Sequence, residues 1–390
     1  MREQKRDVSL DLIRALAAFL VLSVHFFLNN GYYYTPMVGK KMLLMTVVRT
    51  GFMVCVPLFL LLSGCLCRNK QLTKRYYLGL GRVLLTYGLA ALFCLGFRCL
   101  YLQQPFSATW AGKELLAFTA APYAWYVEMY IGLFLLIPFL NLMYNGLTSR
   151  RQKEVLIVTL LCLTSLPALT NLRHKLLPSW WQEIYPIAYY FLGAYLGEYK
   201  PKVSWKWGVP LLGLVVLAGG GYNYISCYGG LFRWEDYNNW FGPGIVASAA
   251  LVFLLLRQLP WDKLPGWCRW LISKGAGLSL SLYLVSWCYD QMFYPILAQH
   301  VPNMPDRLFY YIAIVPAVYL CSALTAQVLE WIRKGITWGL ERVFPLFFNG
   351  RAAPAFAEQG LREAYPDEAE NEARELQTSS AGNCDNGKDQ

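Results

Sequence analysis

Long apolar runs, separated by short polar and basic segments, decide what this chain can fold into. The hydrocarbon core of a bilayer is about 30 Å thick, and a helix needs about 20 apolar residues to cross it. Ten stretches approach that requirement: roughly 10–28, 44–66, 78–100, 124–145, 155–171, 184–198, 207–226, 242–256, 276–297 and 308–332. The fifth, sixth and eighth are the shortest. Composition points the same way. Of 390 residues, 56% are hydrophobic and only 15% charged, where a soluble protein carries about 25% charged residues. So little polar surface cannot cover so much apolar mass in water. That excludes an ordinary soluble enzyme, a disordered chain and a coiled coil. The expectation is an all-α polytopic membrane protein with about ten transmembrane helices.

The charge describes topology. The formal net charge is +11, from 35 Lys and Arg against 24 Asp and Glu. With the N-terminus inside, the inner segments 1–9, 67–77, 146–154, 199–206, 257–275 and 333–350 hold 20 basic residues. The outer segments 29–43, 101–123, 172–183, 227–241 and 298–307 hold 7. The bias alternates without inversion, which predicts that both termini are cytoplasmic. It also reads the positive charge as a mark of cytoplasmic loops rather than a nucleic-acid footprint. Residues 1–350 form the expected membrane domain. Residues 351–390, with four basic and nine acidic side chains, read as a disordered cytoplasmic tail. The basic start, Met-Arg-Glu-Gln-Lys-Arg, precedes an apolar stretch too long for a signal peptide, so the first run is expected to remain as a span.

The eleven cysteines form no C-x-x-C pair and no metal-ligand spacing, so no metal site is expected; they read as small apolar packing residues. Gly79, Gly81 and Gly219–Gly221 lack the Gly-Lys-Ser/Thr of a phosphate loop and read as helix-packing positions. Tyr32–Tyr34, Trp180, Trp181, Trp234 and Trp240 gather at the outer edges. There they suit an interfacial belt or a surface on which sugar rings stack.

Ionisable residues inside spans are candidates for function. They are Asp11, Arg14, His25, Arg49, Arg82, Glu128, Asp290 and Glu330. Asp11, Glu330 and Asp290 lie near enough to predicted interfaces to be merely solvated. Arg14 and His25 are eleven residues apart, close to three full helical turns. They therefore share a face at a separation of about 16 Å, and Asp11 pairs with Arg14 at i, i+3. A cation at the inner end suits an anionic group such as phosphate. A histidine deeper in suits a general base. On spacing alone, Arg14 snorkelling to the headgroups and His25 reaching the outer interface is an equal alternative. His174 and His300 fall in outer loops, so His25 is the only histidine within a span. Ser9 to Asp11 read as a helix cap.

These residues resemble a family pattern. Asp11 to His25 fits D-x-(I/L)-R-A-(L/I)-A followed by histidine, the Arg-x10-His signature of the acyltransferase 3 family of integral membrane acyltransferases. Three further blocks follow in order. Val56 to Gly64 reads V-P-L-F-L-L-L-S-G. Trp125 to Pro138 resembles the family's W-(Y/F)-(L/V)-x3-(I/L)-G-L-Y-L-x-x-P. Leu280 to Val285 resembles the late S-x-x-(I/L)-Y-L-(I/V) block. The resemblance covers about residues 7–332. Two positions depart from it. Ser286 stands where the late block usually has histidine, and Tyr123-Ala124 stands where His-Leu often precedes the Trp125 block.

The resemblance implies transfer of an acyl group, commonly acetyl, from cytoplasmic acyl-CoA to a hydroxyl of a surface carbohydrate or other envelope molecule. The protein would be multi-pass in the cell membrane, with acyl-CoA a co-substrate and no permanently bound cofactor. On that reading His25 is the general base or a transient acyl carrier, Arg14 contacts the donor and Asp11 holds Arg14. Arg49, Arg82 and Ser63 are further donor contacts, although snorkelling suits the two arginines and close packing suits Ser63. Tyr123, Trp125, Glu128 and Asp290 serve the acceptor. A transporter or flippase for an envelope lipid or sugar is the alternative, since intramembrane Arg, His and Glu also suit a transport path. Many secondary transporters show repeat symmetry, and none is visible in this sequence.

Overall fold

The computed structural model describes residues 7–171 and 174–343. The expected acidic tail, 351–390, lies outside the described residues. The chain divides into a large unit, Met1–Arg333, and a second one, Lys334–Gln390. Among the described residues the protein is all-α, with one isolated bridge between Met37 and Tyr228. In chain order the helices are α1 (Val8–Asn29), α2 (Gly39–Phe52), α3 (Cys55–Cys67), α4 (Lys74–Leu100), α5 (Ala108–Leu116), α6 (Trp125–Gly146), α7 (Arg150–Thr170), α8 (Tyr185–Tyr199), α9 (Trp205–Ser226), α10 (Pro243–Arg257), α11 (Gly266–His300) and α12 (Tyr311–Val343).

Local sequence sets the starts and breaks. The cap of α1 is Asp7, not the Ser9–Asp11 stretch, because the Asp7 carboxylate accepts the Ser9 backbone N–H at 3.0 Å. Thr73 caps α4, and a reciprocal Ser149–Gln152 capping box opens α7. The single run expected at 44–66 is two helices in series, α2 and α3. Pro57 has no N–H to give the carbonyl four residues back, so the chain turns at Met53–Val54.

Nine helical segments among the described residues are long and apolar enough to cross a membrane. Large apolar side chains such as Leu214, Leu320 and Leu324 lie exposed on them, as expected of surfaces that meet lipid rather than water. The sixth expected span differs. It forms α8, only 15 residues long, or about 22 Å. Packing directions agree with counting it as a crossing. Helices α1 and α11 run parallel, since Asp11 meets Ser273 near one end and His25 meets Asp290 further along. Parallel neighbours require an odd place for α11 if α1 is first, and counting α8 makes α11 the ninth. The pair α3 and α8 is parallel as well, since Leu61 meets Gly193 and Cys65 meets Gly197 one turn later. A Cβ added at Gly64 would lie 1.9 Å from the Tyr190 carbonyl oxygen, and one at Gly193 would lie 2.2 Å from that of Leu61. These two glycines let the backbones touch, and α8 can be short because α3 shields it. Of the other glycines expected to allow packing, Gly220 does so, pressed against Val47 of α2, whereas Gly81 and Gly221 face open space.

Helix α1 is the axis of the fold. It packs against α2, α3, α10 and α11, so the side chains of its polar stripe are held from several sides.

Candidate active site

Two groups of polar residues form around α1, one at each end of the stripe that carries Arg14 and His25. At the early end lies an open cavity of about 710 Å³. Five basic side chains line it, Arg14, Arg68, Lys70, Lys200 and Arg257, with only Asp7 and Asp11 as anions. Arg14 is half-buried, its Nη1 4.0 Å from the Asp11 carboxylate. Asp11 is itself buried and accepts a hydrogen bond from Ser273 of α11 at 2.9 Å. The expected Asp11–Arg14 pair is therefore present, and α11 holds its acid in place. Arg257 reaches Asp7 at 3.5 Å. Five cations around one cavity favour an anionic ligand with several charges.

Three turns further along α1, His25 is buried against the turn that precedes α6 and against α11. Its Nδ1 is 3.8 Å from the Asp290 carboxylate. Its ring lies on that of Tyr123, centroids 3.8 Å apart. The Tyr123 hydroxyl donates to Asp290 at 2.7 Å, and Asn29 donates to both Tyr123 and Asp290, at 2.8 and 3.3 Å. Tyr283 closes the group by donating to the Tyr123 backbone carbonyl. The expectation that Asp290 is merely solvated near an interface fails: it is 1% exposed. Its second carboxylate oxygen and His25 Nδ1 are buried without a hydrogen-bond partner among the described residues. Both point to a site that is complete only when occupied.

Between the two groups lie hydroxyl-bearing side chains. Tyr130 has Ser63 and Arg14 as neighbours, and Tyr126 has Tyr130 and Tyr283. Ser63 otherwise donates to the Phe59 carbonyl at 2.9 Å. Trp125 stacks on Trp240 at 4.6 Å, flanking the same region.

Other expected site residues stand apart. Arg82 is exposed on α4. Glu128 is exposed too, and among the described residues it forms no ion pair with an arginine. Arg49 is fully buried but sits among Tyr33, Phe232 and Trp234 rather than in the basic cavity. Sequence reasoning missed Asn29 and the supporting role of Tyr283. Asn29 lies one turn beyond His25, and that i, i+4 spacing is the signal that could have found it. Arg68, Lys70, Lys200 and Arg257 were read only as topology charges.

The family model described as "Acyltransferase domain" and named Acyl_transf_3 matches residues 7–326. The chain belongs to the acyltransferase 3 family. As a member of that family it is a multi-pass membrane acyltransferase. The match begins at the cap of α1 and runs into α12, so it takes in both polar groups. No curated protein and no solved structure matches the chain.

Proposed function

We propose that this acyltransferase moves an acyl group, acetyl by preference, from acyl-CoA to a hydroxyl of a carbohydrate or other molecule of the cell envelope. The observation that carries the reading is the pairing of the two groups along one helix face. A cavity rich in cations suits the phosphates of CoA. The His25–Asp290–Tyr123 cluster suits proton transfer. The separation of about 16 Å is comparable to an extended pantetheine arm, and the hydroxyls of Ser63, Tyr130 and Tyr126 lie between the two groups.

In this mechanism the donor's phosphates rest on Arg14, Arg68 and Arg257, and its thioester reaches His25. The imidazole takes the proton of the acceptor hydroxyl as its oxygen attacks the thioester carbon. An ester C–O bond forms, the C–S bond breaks, and the proton passes to the departing CoA sulfur. The Asp290 carboxylate stabilises the imidazolium that forms in between. Tyr123 and Asn29 hold that carboxylate. Neither a histidine at position 286 nor one at 123 is required, because Asp290 and Tyr123 occupy the space around His25.

The orientation follows from the charge count: the basic cavity faces the cytoplasm, where acyl-CoA is made, and the His25 end faces outward in the plasma membrane. Purified protein in nanodiscs, given acetyl-CoA and an envelope glycan, is expected to release free CoA. His25→Ala is expected to abolish that release while preserving the elution profile. A folded, fully active His25→Ala protein overturns the assignment.

A further inference from the structure

Among the described residues Arg49 is the largest fully buried side chain, and none of the ion pairs found there involves it. Its Nε donates to the Tyr33 hydroxyl at 2.8 Å. The guanidinium lies 4.4 Å from the ring centre of Phe232, 4.3 Å from that of Trp234 and 5.5 Å from that of Tyr33. Aromatic faces offset part of the cost of burying a cation. They do not satisfy the N–H groups of Nη1 and Nη2, which are buried with no hydrogen-bond partner among the described residues. An unpaired guanidinium inside a membrane protein is expensive and marks a site by default.

The cage is built from two loops at the same end of the molecule. Tyr33 lies in the turn after α1, and Phe232 and Trp234 lie in an irregular segment after α9. The loops are tied together where the Met37 N–H donates to the Gly230 carbonyl at 2.8 Å and the Gly229 N–H donates to that of Met37 at 3.3 Å. Phe27, two residues past His25, packs on Tyr32 and Phe52 beside the cage. The paired loops thus form a cap over Arg49, which a ligand must displace to reach it.

We propose that Arg49 and its aromatic cap bind the carboxylate of an acidic sugar residue in the acceptor. The two unpartnered nitrogens, Nη1 and Nη2, present parallel N–H groups in a planar fork that matches a carboxylate in bidentate fashion. A single guanidinium among aromatic rings suits a monoanion; a phosphate dianion needs the more numerous cations found in the basic cavity. Trp234, half exposed and stacked with Tyr33 beside Arg49, offers apolar ring surface for the sugar to pack on. The proposal rests on the acyltransferase reading only in calling this sugar the acceptor.

The test is a binding titration without donor, so it is independent of turnover. The full chain in nanodiscs is titrated with D-glucuronate, its neutral methyl ester and inorganic phosphate, reading tryptophan fluorescence and thermal shift. Glucuronate is expected to give a saturable response, at least about tenfold stronger than the ester or phosphate. Arg49→Lys keeps the charge but loses the fork, and should weaken glucuronate about tenfold. If Arg49→Lys does not fold, Trp234→Ala takes its place: it alters a half-exposed ring and should also weaken glucuronate about tenfold. Equal responses to glucuronate and its ester, phosphate binding as tight as glucuronate, or a folded variant that binds as the native chain does, each overturn the proposal. Loss of His25-dependent CoA release with Arg49-dependent binding intact would instead overturn the transferase reading alone.

Discussion

At its first turns α1 offers Arg14 to an open cavity that four more cations line. Three turns later the same helix face holds His25 in a closed cluster, where each neighbour is a hydrogen-bonding side chain at fixed distance. On the proposed mechanism, the difference divides the reaction along one helix. The open end can only attract, because charges in water are screened and hold a flexible anion loosely. The closed end can orient, because in a dry site a displaced donor or carboxylate has no water to replace its partner. Donor affinity should therefore depend on the first end and the chemical step on the second.

The strongest way to break this division is at Asp290. Asp290→Asn keeps the shape but removes the charge beside the imidazole. It is expected to lower kcat on the order of a hundredfold, with the donor KM changed less than about twofold. Tyr123→Phe, which removes one hydrogen bond to the same carboxylate, should lower kcat about tenfold. A rise in donor KM from either variant, without loss of kcat, would show that the two ends are not separate. The complementary change is Arg14→Ala, expected to raise the donor KM about tenfold with kcat nearly unchanged. Raising the salt concentration should weaken donor binding to the native chain and narrow the gap between the two proteins.

How much of this was legible in the sequence depends on what each signal measures. The apolar runs gave the helices, and the phase of Arg14 and His25 was visible because both sit on one regular helix. Asp290 was visible as a residue but not as a buried one. Its depth depends on α11 lying parallel to α1, a relation between segments some 265 residues apart. Arg82 and Glu128 looked equivalent to Arg14, yet they are exposed. In a soluble helix the apolar stripe marks the buried face, but lipid and protein core are both apolar, so the pattern does not say which way a polar residue turns. Arg49 was read as a donor contact or a snorkelling cation from its place in an apolar run, while the cap over it was not legible: Phe232 and Trp234 come from a loop more than 180 residues away.

The smallest expected effect concerns the support of the closed end. Tyr123 sits at the end of a loop that α5 and the last turn of α4 hold in place. Arg98 donates to Glu114 at 2.7 Å and to Gln104 at 2.9 Å, and the Glu114 backbone carbonyl accepts from Thr119 and Ala120. The hydrogen bond from Arg98 holds the Glu114 carboxyl below the usual carboxylate range. A depressed carboxylate contributes stability above its unfolded pKa of about 4.3, and that stability is lost as pH falls through the lower folded value. The pair is partly exposed, so its contribution is under about 1 kcal/mol. Glu114→Gln should therefore lower the Tm slightly at pH 7, and the difference from the native chain should vanish in strong acid. Because the loop carries Tyr123 and not the basic cavity, kcat should fall by less than about threefold while the donor KM stays fixed. A change in donor KM would mean that the loop reaches the open end as well, and the division of labour along α1 would no longer hold.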